Sequence, residues 1–240
     1  MKFLSTTALT LAMLGMSGCA QAQSDSVSTT DKAQIEAIVK AYLLENPEVV
    51  RDALIELEAK QDRTALAAVS DALHKDPRDV VIGPKDAKVT IVEFFDYNCG
   101  FCKKSTQWLK DTIEEHPNDV RVIFKELPIL EGRSKTSRNA AKAALAASRQ
   151  GKYSTMHFSL MAERSLTPKR VRDLAEKAGL DMDKFDKDML DKDIDRQIDD
   201  TLLLAQRIPA LTGTPFFVIG DEFVSGANTE KLEEILDRAL

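Results

Sequence analysis

Two kinds of hydrophobic pattern divide the chain, and the change from one to the other falls near residue 78. Before it, apolar residues recur at helical spacing, as in Ile35, Ile38, Val39 and Tyr42. After it, short apolar runs alternate with helical stretches, and such runs are typical of buried strands. The pattern therefore predicts an N-terminal helical region followed by an α/β domain.

The predicted α/β domain, residues 78–240, begins with a strand at 88–95, a helix at 103–115 and a second strand at 120–127. A long helical stretch follows at about 134–207. Two strands at 216–219 and 222–224 and a helix at 229–240 complete the domain. The first three form a βαβ unit, in which a helix connects two parallel strands. The order βαβ, helical insert and ββα is that of a thioredoxin fold. The sequence therefore predicts an α/β thioredoxin fold with an inserted helical domain.

The N-terminal helical region, residues 32–76, is predicted to contain two helices. Asn46-Pro47 separates them, since asparagine caps a helix well and proline suits its first turn. The second helix extends by its apolar spacing to His74. One or two such helices cannot build a core alone. They either pack on the following domain or form an oligomerisation arm with other copies of the chain, and we favour the arm, hence a homo-oligomer.

The first residues have the pattern of a secretory signal. A lysine after Met1 precedes an apolar run, which places a signal peptide at 1–22 and a polar linker at 23–31. Ala20-Gln21-Ala22 fits a small-x-small cleavage site. The alternative is a lipoprotein anchored through Cys19, because the segment ending there resembles a bacterial lipobox. Both routes export the chain to the periplasm, where disulfides form and persist.

Composition and charge narrow the class of protein. The 240 residues are 43% hydrophobic and 30% charged, as in soluble globular proteins. The net charge of −6 argues against nucleic acid as a partner, because nucleic-acid binding needs a basic face. No segment beyond residue 20 is long and apolar enough to span a bilayer.

The chemistry of the chain is predicted to reside in Cys99-Gly100-Phe101-Cys102, between a strand and a helix. This position puts the first sulfur at the positive end of the helix, which favours the nucleophilic thiolate. Once Cys19 is removed or acylated, Cys99 and Cys102 are the two remaining thiols. A disulfide that closes so short a loop adds little stability. The pair is therefore better explained by thiol-disulfide chemistry than by stapling.

A metal site is the alternative use of two thiols. Structural zinc needs four ligands, no second Cys-x-x-Cys follows, and the three histidines lie at no ligand spacing to the pair. We expect neither a resident metal nor a cofactor. Copper(I) bound by the two thiolates stays open as a secondary activity.

The chain resembles a known family in two of its segments. The segment from Phe94 to Cys102 is similar to the active-site segment of DsbA-like periplasmic thiol-disulfide oxidoreductases, and Thr214-Pro215 before an apolar strand resembles their cis-proline loop. This resemblance covers about residues 78–240. The N-terminal helices resemble the extension of the ScsC branch, the copper-sensitivity suppressor proteins.

The catalytic roles follow from the positions of the residues and from this resemblance. Cys99 is expected to attack, because it lies nearer the exposed turn, and Cys102 to resolve the mixed disulfide. The resemblance places the family's buried acid at Glu93, where it exchanges a proton with Cys102. The alternative for Glu93 is a solvent-facing carboxylate at the sheet edge. Lys125, on the next strand, is a candidate partner for it.

The resemblance also implies a binding surface for client proteins. The cis-proline loop presents the backbone of Thr214, before Pro215, to an extended client that binds as an added strand. Gly100 and Phe101 are expected at the rim of this surface. An exposed Phe101 ring would offer apolar surface to unfolded clients.

The dipeptide between the cysteines bears on the direction of the reaction. Gly100-Phe101 departs from the Pro-His of strongly oxidising DsbA proteins, so Cys99 should be less acidic and the disulfide a milder oxidant. Glycine followed by an aromatic residue resembles the dipeptide between the cysteines of the periplasmic isomerases. We therefore expect a disulfide reductase or isomerase recharged by a DsbD-like membrane reductase. The alternatives are a DsbA-type oxidase with a DsbB-like partner, and a copper-binding or holdase module.

Overall fold

The computed structural model describes residues 29–240. The predicted signal peptide, the lipobox alternative at Cys19 and nearly all of the linker at 23–31 lie outside the described residues. The chain divides into two compact units, one ending at Ala53 and the other covering Leu54–Leu240. In the part of the chain that the structure describes, no helix has the length and hydrophobicity needed to cross a membrane.

The described part of the first unit is helical. Helix α1 covers Thr29–Glu45, and helix α2, Pro47–Ala68, begins in this unit and ends in the second. The side-chain amide of Asn46 donates to the carbonyl oxygen of Tyr42 at 2.9 Å, which marks the predicted break between the helices. Large apolar side chains of this unit are exposed, among them Ile35, Ile38, Val39, Tyr42 and Leu44.

The second unit is built on a five-stranded sheet. Its strands, in chain order β1 to β5, are Val80–Ile82, Val89–Phe95, Val120–Glu126, Phe216–Ile219 and Glu222–Ser225. They lie side by side as β1-β3-β2-β4-β5. Strands β2 and β3 are parallel, and the other neighbouring pairs are antiparallel. The central strands are rich in β-branched and aromatic residues, which suits a sheet buried on both faces.

Helices account for most of the remaining chain. Helices α3 to α10 are Ser70–His74, Gly100–Glu115, Thr136–Ser148, Tyr153–Ala162, Pro168–Lys177, Met182–Met189, Lys192–Gln206 and Thr229–Ala239. Helix α4 connects β2 to β3 and completes the predicted βαβ unit. Helices α5 to α9 form the helical insertion between β3 and β4. The element order is that of the predicted thioredoxin fold.

Two hydrophobic clusters cover the two faces of the sheet. On one face, Ile91 and Phe95 of β2 pack with the helical insertion. On the other, Val92 and Phe94 pack in a cluster that includes three buried residues of α2, α3 and the turn between them: Leu66, Val69 and Leu73. The end of α2 and all of α3 therefore belong to the core of the second unit. This differs from the expectation that residues 32–76 form one separate arm.

Three boundaries differ from the sequence prediction. Helix α4 begins at Gly100 rather than at 103, so Cys102 is already helical. The second N-terminal helix, predicted to run to His74, is interrupted at Val69. From Asp181 to Leu204, charged and apolar residues alternate at helical spacing and predict one helix, but this part of the insertion forms two. Asp191 caps the second by accepting from the backbone N–H of Asp193. Strand β1 was not predicted, since three residues carry too little periodicity.

Candidate active site

Cys99 occupies the N-cap position of α4. Its backbone is extended, with φ −78° and ψ 117°, and the first helical residue is Gly100. The sulfur is therefore held at the helix end where backbone N–H groups have no intrahelical acceptor and the helix dipole is positive. The loop before it positions the residue, since the Cys99 N–H donates to the carbonyl oxygen of Asp96 at 2.9 Å.

Several donors converge on the half-buried Cys99 sulfur. A hydrogen bond from the Cys102 thiol is the main cause that lowers the pKa of Cys99, to about 5, and it outweighs burial, which acts in the opposite direction. The side chain of Thr214 and the backbone N–H groups of Phe101 and Cys102 add to the lowering. Cys99 is therefore a thiolate at neutral pH, the form that attacks disulfides.

Cys102 has the opposite environment. It is fully buried, and burial raises its pKa, with the donation to Cys99 and the charge of Glu93 acting in the same direction. It therefore stays protonated while Cys99 is free to react. The structure brings together an accessible nucleophile and a protected second thiol, the asymmetry that the sequence predicts.

The loop before β4 lies against the cysteine pair. The peptide bond between Thr214 and Pro215 is cis, as the sequence predicts. The Cys99 sulfur lies 3.1 Å from the carbonyl oxygen of Thr214, to which it donates when it is protonated. Residues 115 positions apart in the chain thus meet at the reacting sulfur.

The rim next to Cys99 is open and partly apolar. The Phe101 side chain is 59% exposed, and the ammonium of Lys104 lies 4.9 Å from the centre of its ring. A Cβ atom built on Gly100 would meet no other atom within 4 Å. This part of the surface is therefore open next to the reacting sulfur.

Glu93 is buried in β2, so the alternative of a solvent-facing carboxylate is wrong. It is 1% exposed, and neither carboxyl oxygen has a hydrogen-bond partner among the described residues. Burial, and secondarily the charge of Cys99, raises the pKa of Glu93 to about 8. An acid with this pKa can hold a proton at neutral pH and also release it.

The suggested pairing of Lys125 with Glu93 is wrong. In the parallel register, Glu93 lies opposite Phe124, and Phe94 lies opposite Lys125. Successive side chains of a strand point to opposite faces, so the lysine and Glu93 face different sides of the sheet. The Lys125 ammonium instead donates to the carboxylate of Asp79 and to the carbonyl oxygen of Ala72.

Asp96, for which the sequence predicts no role, anchors the loop that carries Cys99. Its carboxylate accepts from the N–H of Asn98 at 2.8 Å, the hydroxyl of Ser137 at 2.8 Å and the N–H of Leu130 at 2.9 Å. The loop is thereby fixed to the start of the helical insertion. The signal available in the sequence is an aspartate directly after a buried strand, where it caps a turn.

A second set of polar residues was also not predicted. Tyr97, Glu126, Tyr153 and His157 are buried and joined by hydrogen bonds of 2.8–3.0 Å. They come from the active-site loop, the end of β3 and α6. No local motif links these four residues, so their proximity is not predictable from the sequence.

The described residues contain no group of three or more histidine, cysteine, aspartate or glutamate side chains arranged to hold a metal ion. The two thiols are free in the structure. The arrangement of Cys99, Cys102 and Glu93 supplies a nucleophile, a resolving thiol and a buried acid, which together suffice for thiol-disulfide exchange.

Comparison with known proteins gives two family matches. Residues 90–237 match the DSBA-like thioredoxin domain, and residues 31–63 match the copper resistance protein ScsC N-terminal domain. A linker-deletion variant of Proteus mirabilis ScsC is 29% identical and superposes with a TM-score of 0.71, covering 90% of this chain and 98% of that one. A periplasmic thioredoxin-like protein from Salmonella enterica is 32% identical over 72% of this chain and 95% of that one, with a TM-score of 0.63.

Curated relatives include a Na(+)/H(+) antiporter NhaA from Salinispora tropica, 32% identical over 161 residues. The match covers 65% of this chain and 24% of the antiporter. The chain thus spans about a quarter of the length of these curated relatives.

Proposed function

The chain belongs to the DSBA-like thioredoxin domain family and is a thiol-disulfide oxidoreductase, and we propose that it reduces and isomerises disulfides of envelope proteins in the periplasm. The observation that carries the proposal is the cysteine pair, with an acidic Cys99 at an open apolar rim and a protected Cys102 behind it. A reductase or isomerase needs a stable, accessible thiolate to begin each reaction.

Reduction takes place in two exchanges. The Cys99 thiolate attacks one sulfur of a client disulfide, the client S–S bond breaks, and the second client sulfur leaves as a thiolate. Cys102 then gives its proton to the Glu93 carboxylate, and its sulfur attacks Cys99. The mixed disulfide breaks, the client leaves with two electrons, and the Cys99–Cys102 disulfide remains.

Isomerisation uses the first exchange alone. The client thiolate released by Cys99 attacks another disulfide of the same client, and a later client thiolate displaces Cys99 from the mixed disulfide. Cys99 leaves as a thiolate, and no net electrons are transferred. This route requires that the client is held while its bonds exchange, which the exposed Phe101 ring and the Thr214 backbone support.

The reduced pair must be regenerated after each net reduction. We propose a membrane reductase of the DsbD type as the electron donor, because exported proteins have no access to cytoplasmic reductants. We also propose that the chain forms a homo-oligomer through α1 and the start of α2. The exposed residues Ile35, Ile38, Val39 and Tyr42 have the i, i+3, i+4, i+7 spacing of a helix face that packs on another helix.

The redox state of Cys99–Cys102 in envelope extracts tests the direction of the reaction. Acid quenching and alkylation with a mass-tagged maleimide separate the dithiol from the disulfide. A mostly reduced pair, which becomes oxidised when the membrane reductase is deleted, is the expected result. A pair that stays oxidised in wild-type cells would contradict the proposal.

The acidity of Cys99 favours a second candidate, a DsbA-type oxidase. A stabilised thiolate makes the reduced form more stable and the disulfide more oxidising. The value of about 5 for Cys99 lies between about 7 for thioredoxin and about 3.5 for DsbA. Equilibration with glutathione measures the reduction potential, and refolding of reduced ribonuclease against scrambled ribonuclease separates oxidase from isomerase activity.

A further inference from the structure

The surface next to the cysteine pair carries positive charge, although the net charge of the whole chain is −6. Two lysines, Lys103 and Lys104, directly follow the pair in α4. The Lys103 ammonium donates to the backbone carbonyl oxygen of Glu163, and the Lys104 ammonium lies over the Phe101 ring. Neither ammonium is within salt-bridge distance of a carboxylate in the part of the chain that the structure describes.

The charge of Lys103 acts on the reacting sulfurs themselves. Its backbone N–H donates to the carbonyl oxygen of Cys99 at 3.2 Å, so it lies one helical turn from the nucleophile. Burial lowers the pKa of Lys103, and four neighbouring groups oppose that lowering: Glu163, Asp96, Cys102 and Cys99. A client sulfur that approaches Cys99 therefore comes into the field of this lysine.

Two loops that contact this region carry further exposed cations. The side-chain amide of Asn98 donates to the hydroxyl of Thr136 at 3.0 Å, and Lys135 is the preceding residue. Arg164 directly follows the carbonyl group to which Lys103 donates. Both side chains are exposed, and neither belongs to a salt bridge within residues 29–240.

The acids of the same loops are already paired or buried. The Glu163 carboxylate forms an ion pair with Arg170 at 2.5 Å, and that of Glu131 with Arg138 at 2.6 Å. Asp96 is buried. The charge left uncompensated is positive, and it belongs to a cationic rim of four side chains: Lys103, Lys104, Lys135 and Arg164.

We propose that this cationic rim selects client segments that carry aspartate or glutamate beside the reacting cysteine. In an extended client, the residues next to the cysteine lie about 3–7 Å from it along the chain. This is within the Debye length of about 10 Å at 0.1 M salt, so the charges of the client and the rim interact. The inference rests on the proposed function, in which the Cys99 thiolate attacks a client disulfide.

Paired peptides test this preference. Each peptide has one cysteine in a mixed disulfide with 2-thiopyridine, flanked by two glutamates in one peptide and by two glutamines in the other. Cys99 attacks the peptide sulfur, the bond to the pyridyl sulfur breaks, and 2-thiopyridone leaves, which stopped flow follows by absorbance. The ratio of the two rates cancels the thiolate fraction of Cys99. Division by the same ratio for a free uncharged thiol cancels the intrinsic reactivity of the peptides.

Opposite charges about 7 Å apart in water change such a rate by about threefold. The wild type should therefore prefer the glutamate peptide by about three- to tenfold at low ionic strength, and the ratio should approach one in about 0.5 M salt. Lys103→Gln and Lys104→Gln should each lower the preference by about threefold, and Lys104→Glu should lower it further. Lys110→Gln is the matched control, because this lysine pairs with Glu114 further along α4, and it should keep the wild-type ratio.

The outcomes separate this inference from the proposed function. Lys104 is exposed, so its two variants serve even if Lys103→Gln does not fold. A wild-type ratio near one, or a ratio unchanged in the lysine variants, would overturn the inference while exchange at Cys99 continued. If Cys99 reacted with neither peptide, its role as the nucleophile, and with it the proposed function, would be overturned.

Discussion

Replacing Cys102 by alanine should make Cys99 a weaker acid. The thiol of Cys102 is the largest cause that lowers the Cys99 pKa to about 5. A hydrogen bond to a charged group contributes about 1.5–3 kcal/mol, or about one to two pKa units. Solvent screens part of this interaction because Cys99 is only half-buried, so we expect a rise at the lower end of this range, to a pKa of about 6.

The rate of alkylation measures this change. Iodoacetamide reacts with the thiolate, so the rate against pH gives the titration curve of Cys99, which is the single described thiol left in the variant. At about pH 6 the thiolate fraction should fall from about nine-tenths in the reduced wild type to about one half. Circular dichroism checks that the fold is unchanged, since the substitution removes one buried sulfur atom.

A second substitution tests whether the hydrogen bond from Cys102 is the cause of the low pKa of Cys99. Cys102→Ser keeps a hydroxyl donor near Cys99, so its titration curve should lie between those of the wild type and Cys102→Ala. If Cys102→Ala titrates like the wild type, the hydrogen bond is not the cause. The helix N-terminus and Thr214 would then account for the acidity of Cys99, and the reasoning from Cys102 would be refuted.

Three further predictions concern catalysis, stability and domain organisation. Cys99→Ser should abolish exchange, whereas Cys102→Ser should accumulate mixed disulfides with clients on non-reducing gels; capture by Cys99→Ser alone would reverse the roles. Burial raises the Glu93 pKa to about 8 in the folded protein, whereas the pKa is about 4.3 in the unfolded chain, so the wild type loses stability as the pH rises between these two values. The free energy of unfolding of Glu93→Gln, measured in urea, should therefore rise relative to that of the wild type between about pH 4 and 8. A difference that stays constant with pH would contradict this. A chain starting at residue 54 should be folded and monomeric by light scattering, whereas one starting at residue 76 also loses three core residues and should be destabilised by more than about 2–5 kcal/mol.

The strands and the catalytic pair are predictable because their signals are local. Strand β2 is a run of apolar residues interrupted by Thr90 and Glu93, and the two cysteines follow it, three positions apart. The break at Val69 is not predictable, because neither glycine nor proline marks it and the apolar spacing continues through it. The break before α9 has a local signal in Asp191, which caps the helix, but helical periodicity alone conceals it.

The rest of the site depends on long-range register. Thr214 follows the helical insertion in the sequence, 115 positions after Cys99, yet its carbonyl oxygen lies next to the Cys99 sulfur. Only the resemblance to a known family identifies Thr214 as part of the site. Lys125 and Glu93 lie on adjacent strands, which makes them plausible partners in the sequence, but the alternation of side chains along a strand places them on opposite faces of the sheet. Glu126, one residue further along β3, lies on the correct face, and only the assembled structure connects it with the tyrosines of the loop and α6.

The alternation of side chains along β2 and β3 places the buried ionisable groups of the sheet on two different faces. The face that carries Glu93 and Glu126 has acids, tyrosines and a neutral histidine, and no cation is among the groups that shift the pKa of either acid. The opposite face holds the ion pair of Lys125 with Asp79, where burial raises the Asp79 pKa to about 6 and the lysine opposes that rise. A lysine on the Glu93 side would stabilise the carboxylate and lower its proton affinity. The register that keeps Lys125 away from Glu93 therefore leaves the Glu93 pKa at about 8, as the proposed proton exchange with Cys102 requires.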